Sequence, residues 1–205
     1  MRIELTNLGK RFNRHWIFRN LNFQFKPGNH YAITGPNGSG KSTLLQIISG
    51  FSLHNEGAVQ YFSSDQLINP EKMFNEISFA APYLDLIEEM TLVEFFSFHH
   101  KMKGWLPNAD TAQIIFLSGL EKSANKQIRY YSSGMKQRVK LTQAIFSNVP
   151  VVLLDEPLTN LDDEGILLYN NLIKKYCDGR LVIIGSNDKK EYSFCNEIIN
   201  MVKFK

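Results

Sequence analysis

The stretch GPNGSGKST, Gly35 to Thr43, carries the most concentrated chemistry in the chain. It fits the spacing G-x-x-x-x-G-K-[ST], with the strand-like run HYAIT before it and the helix-like run TLLQIISG after it. Each residue type suits an anion. Gly35, Gly38 and Gly40 let backbone N–H groups turn inward around phosphate, with Pro36, Asn37 and Ser39 making up the rest of the loop. Lys41 brings positive charge to β- and γ-phosphates, the Ser42 hydroxyl is a ligand for Mg²⁺, and Thr43 stands in the first helical turn. A helix opening at Ser42 adds its positive dipole end. These residues in this order imply a nucleoside triphosphate site.

Two further stretches have chemistry that fits such a site. In VVLLDE, Val151 to Glu156, an apolar run buries a strand and delivers Asp155 to its carboxyl end, where a carboxylate can hold Mg²⁺ through water. Glu156 follows, placed to polarise an attacking water. Taken alone, the pair fits a solvated acidic turn; beside Lys41 it fits catalysis. In YSSGMKQR, Tyr131 to Arg138, two hydroxyls and a glycine stand where a helix starts, which is an N-cap and also an anion site.

The elements that must position these residues alternate between strand and helix patterns. Residues Arg2 to Lys26 alternate loosely and read as antiparallel strands closed by Pro27-Gly28. GAVQYF and ISFAA are strand candidates, and Thr91 with Glu94 forms a capping box ahead of FFSFHHKMK. Helical pattern runs on to about Gln127, and a basic amphipathic helix spans Gly134 to Ser147. VPVVLLDEP lacks alternation, as a parallel strand covered on both faces does. GILLYNNLIKKYC reads as helix, LVIIG as strand and EIINMVKF as a final strand. The expected fold is α/β: a single domain over residues 1–205 with a mixed, mainly parallel P-loop NTPase sheet flanked by helices. N-terminal antiparallel strands and a helical insert at about residues 85–147 complete it.

Composition narrows the class. The 205 residues are 43% hydrophobic and 21% charged, with a net charge of +3, ordinary values for a globular protein of one domain. That charge is too weak to imply nucleic acid, and the cluster Lys10, Arg11, Arg14, His15 and Arg19 reads as a solvated face. Cys177 and Cys195 form no metal-like spacing and no disulfide framework, which fits a reducing cytosol. The start MRIELTNLGK has no signal-peptide pattern, and no apolar run approaches the length of a membrane span. Any membrane role is expected to need a partner. His99 and His100 fall in a helical pattern and read as packing or solvated residues.

The order of the three motifs resembles the ATP-binding cassette family. YSSGMKQR is similar to that family's signature, usually LSGGQ followed by a basic-amide run, and the likeness extends over nearly the whole chain. It implies ATP and Mg²⁺ as ligands, with Ser132 and the Gly134 N–H meeting the γ-phosphate held by another subunit. Asn160-Leu161-Asp162 matches the family's D-loop at a dimer interface, which brings Asp162 into the site. Phe12 stands where the family stacks an aromatic ring on adenine; His15 or Trp16 also fits, and a core-strand role for Phe12 stays open. The family's Q-loop glutamine is replaced by Pro82 and its switch histidine by Asn187, and both lost residues ordinarily approach Mg²⁺ or the γ-phosphate. The signature departs at Tyr131, Ser133 and Met135.

The resemblance implies the ATP-hydrolysing subunit of an ABC transporter, a homodimer or heterodimer on the inner face of the cell membrane that drives a separate membrane-spanning subunit. The alternative is an ATP-binding dimerisation module with little turnover, because of Pro82 and Asn187. PYLDLIEEMTLVEFF, Pro82 to Phe96, is the candidate docking surface, through Tyr83, Leu84, Leu86 and Ile87 or, alternatively, these pack inside the insert. A DNA-repair relative would carry a long coiled coil between Pro82 and Tyr131, where no heptads occur. A ribosome-associated relative would carry two cassettes.

Overall fold

The computed structural model describes residues 1–205. Its elements in chain order are β1 (Arg2–Phe12), β2 (His15–Phe25), β3 (His30–Thr34), α1 (Lys41–Ile48), β4 (Glu56–Ser63), β5 (Gln66–Ile68) and β6 (Ile77–Ala80). There follow α2 (Leu92–Lys103), α3 (Thr111–Leu117), α4 (Ser133–Phe146), β7 (Val151–Asp155), α5 (Asp163–Tyr176), β8 (Leu181–Gly185), α6 (Lys189–Tyr192) and β9 (Glu197–Asn200).

Two sheets result. An antiparallel sheet runs β2-β1-β4-β5, and a five-stranded sheet runs β6-β7-β8-β3-β9, with parallel pairing throughout. The unbroken apolar runs of β7 and β8 are buried at every position, because they lie inside the parallel sheet with layers on both faces. One core, including Phe18, Phe25, Leu44, Ile48, Leu153 and Ile183, fills the space between the two sheets around α1. The other joins the opposite face of the parallel sheet to α2, α3, α4 and α5 through Phe96, Val139, Phe146, Leu154 and Tyr169.

In an open parallel sheet, ligands sit beyond the carboxyl ends of the strands where the order reverses. Here β3, β6, β7 and β8 end at Thr34, Ala80, Asp155 and Gly185. The four loops that follow contain the glycine-rich turn, Pro82-Tyr83, Glu156 and Ser186-Asn187, so residues far apart in sequence share one rim.

Three expectations change. The last strand stops at Asn200, whose side chain accepts from the Val202 N–H and turns Met201–Phe204 into a 3₁₀ helix. Helix is interrupted after Lys103, where Gly104 adopts φ 71°, and the segment between Leu117 and Tyr131 contains only 3₁₀ turns at Glu121–Ser123 and Ile128–Tyr130. Within the candidate docking segment, Leu86 is buried in the core with Leu92 and Phe95 and cannot meet a partner, whereas Tyr83 and Ile87 are exposed.

Candidate nucleotide site

The glycine-rich turn leaves β3 at Thr34 and enters α1 at Lys41, one residue earlier than its sequence pattern suggests. Gly40 caps the helix at φ 100°, and a Cβ there would stand 2.6 Å from Ile17 Cγ2, so only glycine fits. The first turn of α1 has neither a capping side chain nor an acidic residue. Its N–H groups therefore point at the loop with nothing from the chain competing for them, as an anion site requires. Lys41 is buried, and its Nζ donates to the Gly35 carbonyl at 2.8 Å, which holds the ammonium across the loop. Ser39 Oγ is buried inside the turn without a partner.

Asp155 ends β7 at 1% exposure, with Oδ1 buried and unpartnered. Burial raises its pKa. The hydroxyls of Ser42 and Tyr83 face the carboxylate and pull the other way, Glu156 raises it and Lys41 lowers it. A buried carboxylate oxygen lacking a donor, with a serine hydroxyl opposite, is the oxygen-ligand chemistry of Mg²⁺, so these residues fit that ion. Glu156 sits at φ 42° in the tight turn after β7, held by its N–H to Gly185 O at 2.9 Å and by Thr159 N–H to its own carbonyl at 3.1 Å. It is exposed and lines a groove of about 320 Å³ with Lys41, Ser42, Thr43, Asn37, Gly38, Gly40 and Ile17.

The loop after β8 brings Asn187 to the same rim. Its Oδ1 accepts from the Gly35 N–H at 2.9 Å, so this amide steadies the first residue of the phosphate turn. Pro82 offers its carbonyl to Lys140 Nζ of α4 at 2.6 Å. The next residue, Tyr83, is 45% exposed, yet burial first and then the nearby Asp155 charge hold its phenol above the ordinary range. Tyr83 thus takes a place in the site that its sequence position alone did not reveal. Phe12 is 52% exposed at the tip of the β1–β2 hairpin, beneath the Lys10 ammonium at 4.8 Å, so it is not a core residue.

The Ser132–Gly134 stretch lies elsewhere. Ser132 Oγ accepts from the Met135 N–H at 3.2 Å and caps α4. A Cβ on Gly134 would stand 2.8 Å from Asn160 O, so glycine lets the Asn160–Asp162 loop lie against the helix start. Asp162 caps α5 through the Gly165 N–H at 2.8 Å and pairs with Arg138 at 2.7 Å; both interactions hold its pKa down, the cap more strongly. These residues line a second groove of about 600 Å³ that shares no residue with the first. Tyr131, the departure from the usual leucine, fills the core and donates its hydroxyl to Ser123 O at 2.7 Å. Lys136 pairs with Glu88.

Comparison with known proteins identifies the family. A family model described as ABC transporter matches residues 18–159. The ABC transporter ATP-binding protein YybJ of Bacillus subtilis is 31% identical over 207 residues, covering 97% of this chain and 92% of its own length. The cytochrome c biogenesis ATP-binding export protein CcmA of Xylella fastidiosa is 33% identical over 153 residues, 75% of this chain and 68% of its own. Among solved structures, the dimeric post-hydrolysis state of the ATP-binding cassette MJ0796 bound to ADP and Pi aligns with a TM-score of 0.82 at 26% identity, over 97% of this chain and 93% of that one. An ATP-binding subunit of an ABC transporter shares the fold at a TM-score of 0.84 and 22% identity, over 98% and 85% of the two chains. With a family match over most of its length and a relative 31% identical across 97% of it, the chain belongs to the ABC transporter family, as an ATP-binding subunit.

Proposed function

We propose that this subunit hydrolyses ATP within a dimer and passes the resulting opening and closing to a separate membrane-spanning subunit. One observation carries the reading: the phosphate turn and the Ser132–Gly134 helix start line two grooves with no residue in common. One ATP can meet both kinds of anion site when two chains face each other, each giving the turn of one and the helix start of the other. The dimeric MJ0796 cassette is a precedent for two such chains together.

Within each composite site, Gly35 to Thr43 cradle the phosphates and Lys41 neutralises the β- and γ-oxygens. Ser42 and Asp155 would hold Mg²⁺, which would offset the charge developing on the phosphate oxygens. Glu156 accepts a proton from the attacking water. Ser132, Gly134 and Asp162 would approach from the second chain, Phe12 would stack on adenine, and Asn187, which holds the Gly35 N–H, is the residue assigned to the γ-phosphate.

No helix is long and apolar enough to cross a membrane. The contact with the membrane-spanning subunit is assigned to the apolar groove lined by Phe74, Ile87, Phe98 and Met102, all exposed, which would seat the subunit peripherally on the inner face of the membrane. Phosphate release from purified protein with ATP and Mg²⁺ tests the reading. Turnover by the wild type and silence in Glu156→Gln support it; equal turnover by both would remove Glu156 from the chemistry.

A further inference from the structure

The turn that carries Glu156 is gripped by a residue that the three motifs do not include. Leu158 donates its backbone N–H to Glu191 Oε1 at 2.7 Å. Glu191 belongs to α6 and is only 5% exposed, an unusual setting for a carboxylate without a basic partner. Its backbone is fixed as well: its N–H bonds Asp188 O at 3.0 Å, and its carbonyl accepts the hydroxyl of buried Tyr169 at 2.7 Å. On the other side of the turn, Gln137 of α4, also buried, donates to Pro157 O at 2.9 Å. Asn187, four residues before Glu191, accepts from the Gly35 N–H.

We propose that the segment Asn187 to Glu191 is a bracket that holds the phosphate turn at one end and the Glu156 turn at the other, with Glu191 the positioning residue for Glu156. The inference rests on the proposed hydrolytic role of Glu156. The physical reason is local. Glu156 sits in the left-handed region, which a non-glycine residue keeps only where its surroundings over-determine it. Pro157 has no N–H, so Leu158 supplies the next donor in the turn, and Glu191 is its acceptor. Without that acceptor the turn loses its one side-chain anchor on the α6 side, and the Glu156 carboxylate moves relative to the phosphates.

The test compares Glu191→Met, which keeps length and apolar volume but removes the acceptor, with Glu191→Gln, whose amide oxygen accepts the same N–H. Glu191→Met is expected to lower kcat by about tenfold or more with KM for ATP within about twofold, the signature of a misplaced catalytic group. Glu191→Gln is expected to restore most of the turnover. Full kcat in Glu191→Met, or equal loss in both variants, would overturn the bracket. Amide hydrogen exchange on the nucleotide-free protein decides the same point independently of turnover. Protection at Leu158 to Leu161 should fall in Glu191→Met and stay in Glu191→Gln, and unchanged protection in both would overturn the proposal even if the wild type proved unable to hydrolyse ATP. Wild-type silence with altered exchange would instead count against the hydrolytic reading alone.

Discussion

Replacing Lys41 with alanine removes the single positive charge that the chain buries beside the phosphate turn. The side chain is 5% exposed and its Nζ lies 2.8 Å from the Gly35 carbonyl, so the ammonium is already desolvated and aimed across the loop. Facing an ATP β,γ-bridge, it would make two charge-assisted hydrogen bonds, each worth about 1.5–3 kcal/mol. The lower figure for both gives a loss of about 3 kcal/mol, or roughly two orders of magnitude in Kd. Nearby side chains cannot compensate, since the groove's other lining residues are neutral apart from Glu156. The cost to the fold is small by comparison, about 1 kcal/mol for a carbonyl that loses one donor, which a thermal melt of the nucleotide-free variant checks. Titration calorimetry with ATP and Mg²⁺ reads the affinity. A Kd within about threefold of the wild type, in a variant whose melt shows it folded, would refute the assignment of the cradle.

Ser132→Arg is expected to leave ATP affinity of the dilute monomer unchanged and to abolish turnover, because the arginine would fill the groove offered to the partner's phosphate; an equal loss of monomer affinity, measured by calorimetry, would make Ser132 a residue of local folding. Asn187→His can keep an acceptor on the Gly35 N–H with one ring nitrogen and offer the other to the γ-phosphate. Since one oriented donor is worth about 10²–10³ in rate, turnover should rise well above tenfold with ATP affinity nearly constant; slower turnover would give the γ-phosphate contact to another residue. His99 is buried and hydrogen-bonded to Ser147 Oγ and Gln143, and burial, with smaller contributions from Lys103 and His100, lowers its pKa to about 4. The unfolded chain then binds the extra proton first, so stability is full above pH ~6.5 and falls as the pH drops toward 4, by about 3 kcal/mol for a shift of this size. Urea unfolding across that range checks the slope, and an equal slope in His99→Gln would assign it to other groups.

The cradle and Asp155 were legible because each lies in one contiguous stretch whose residue types have no better use. The alternating and unbroken apolar runs marked the strands for the same reason, since periodicity survives in a single sequence. What sequence could not show is the chemistry assembled across the rim. Tyr83 comes near enough to Asp155 from the loop after β6 to feel its charge, Glu191 reaches Leu158 from α6, and Gln137 reaches Pro157 from α4. Each is an ordinary residue type at no special spacing, and its role comes from parallel strands ending side by side. The basic cluster near the N-terminus is legible only with the fold in hand. Arg19 pairs with Glu56 at 2.7 Å, and it and Arg11 lie over the Trp16 ring. Leu86 stayed open between docking and packing because its stretch has no periodicity to separate an inward leucine from its exposed neighbours, and the fold packs it in the core.

An ATP held between two chains is tested most directly by the solution mass of Glu156→Gln. The amide cannot accept a proton from water, so ATP should stay intact and the closed dimer accumulate. Light scattering in ATP and Mg²⁺ is expected to give twice the chain mass, reverting to the single-chain mass in ADP. A Glu156→Gln protein that binds ATP by calorimetry yet remains at the single-chain mass would contradict the two-chain site.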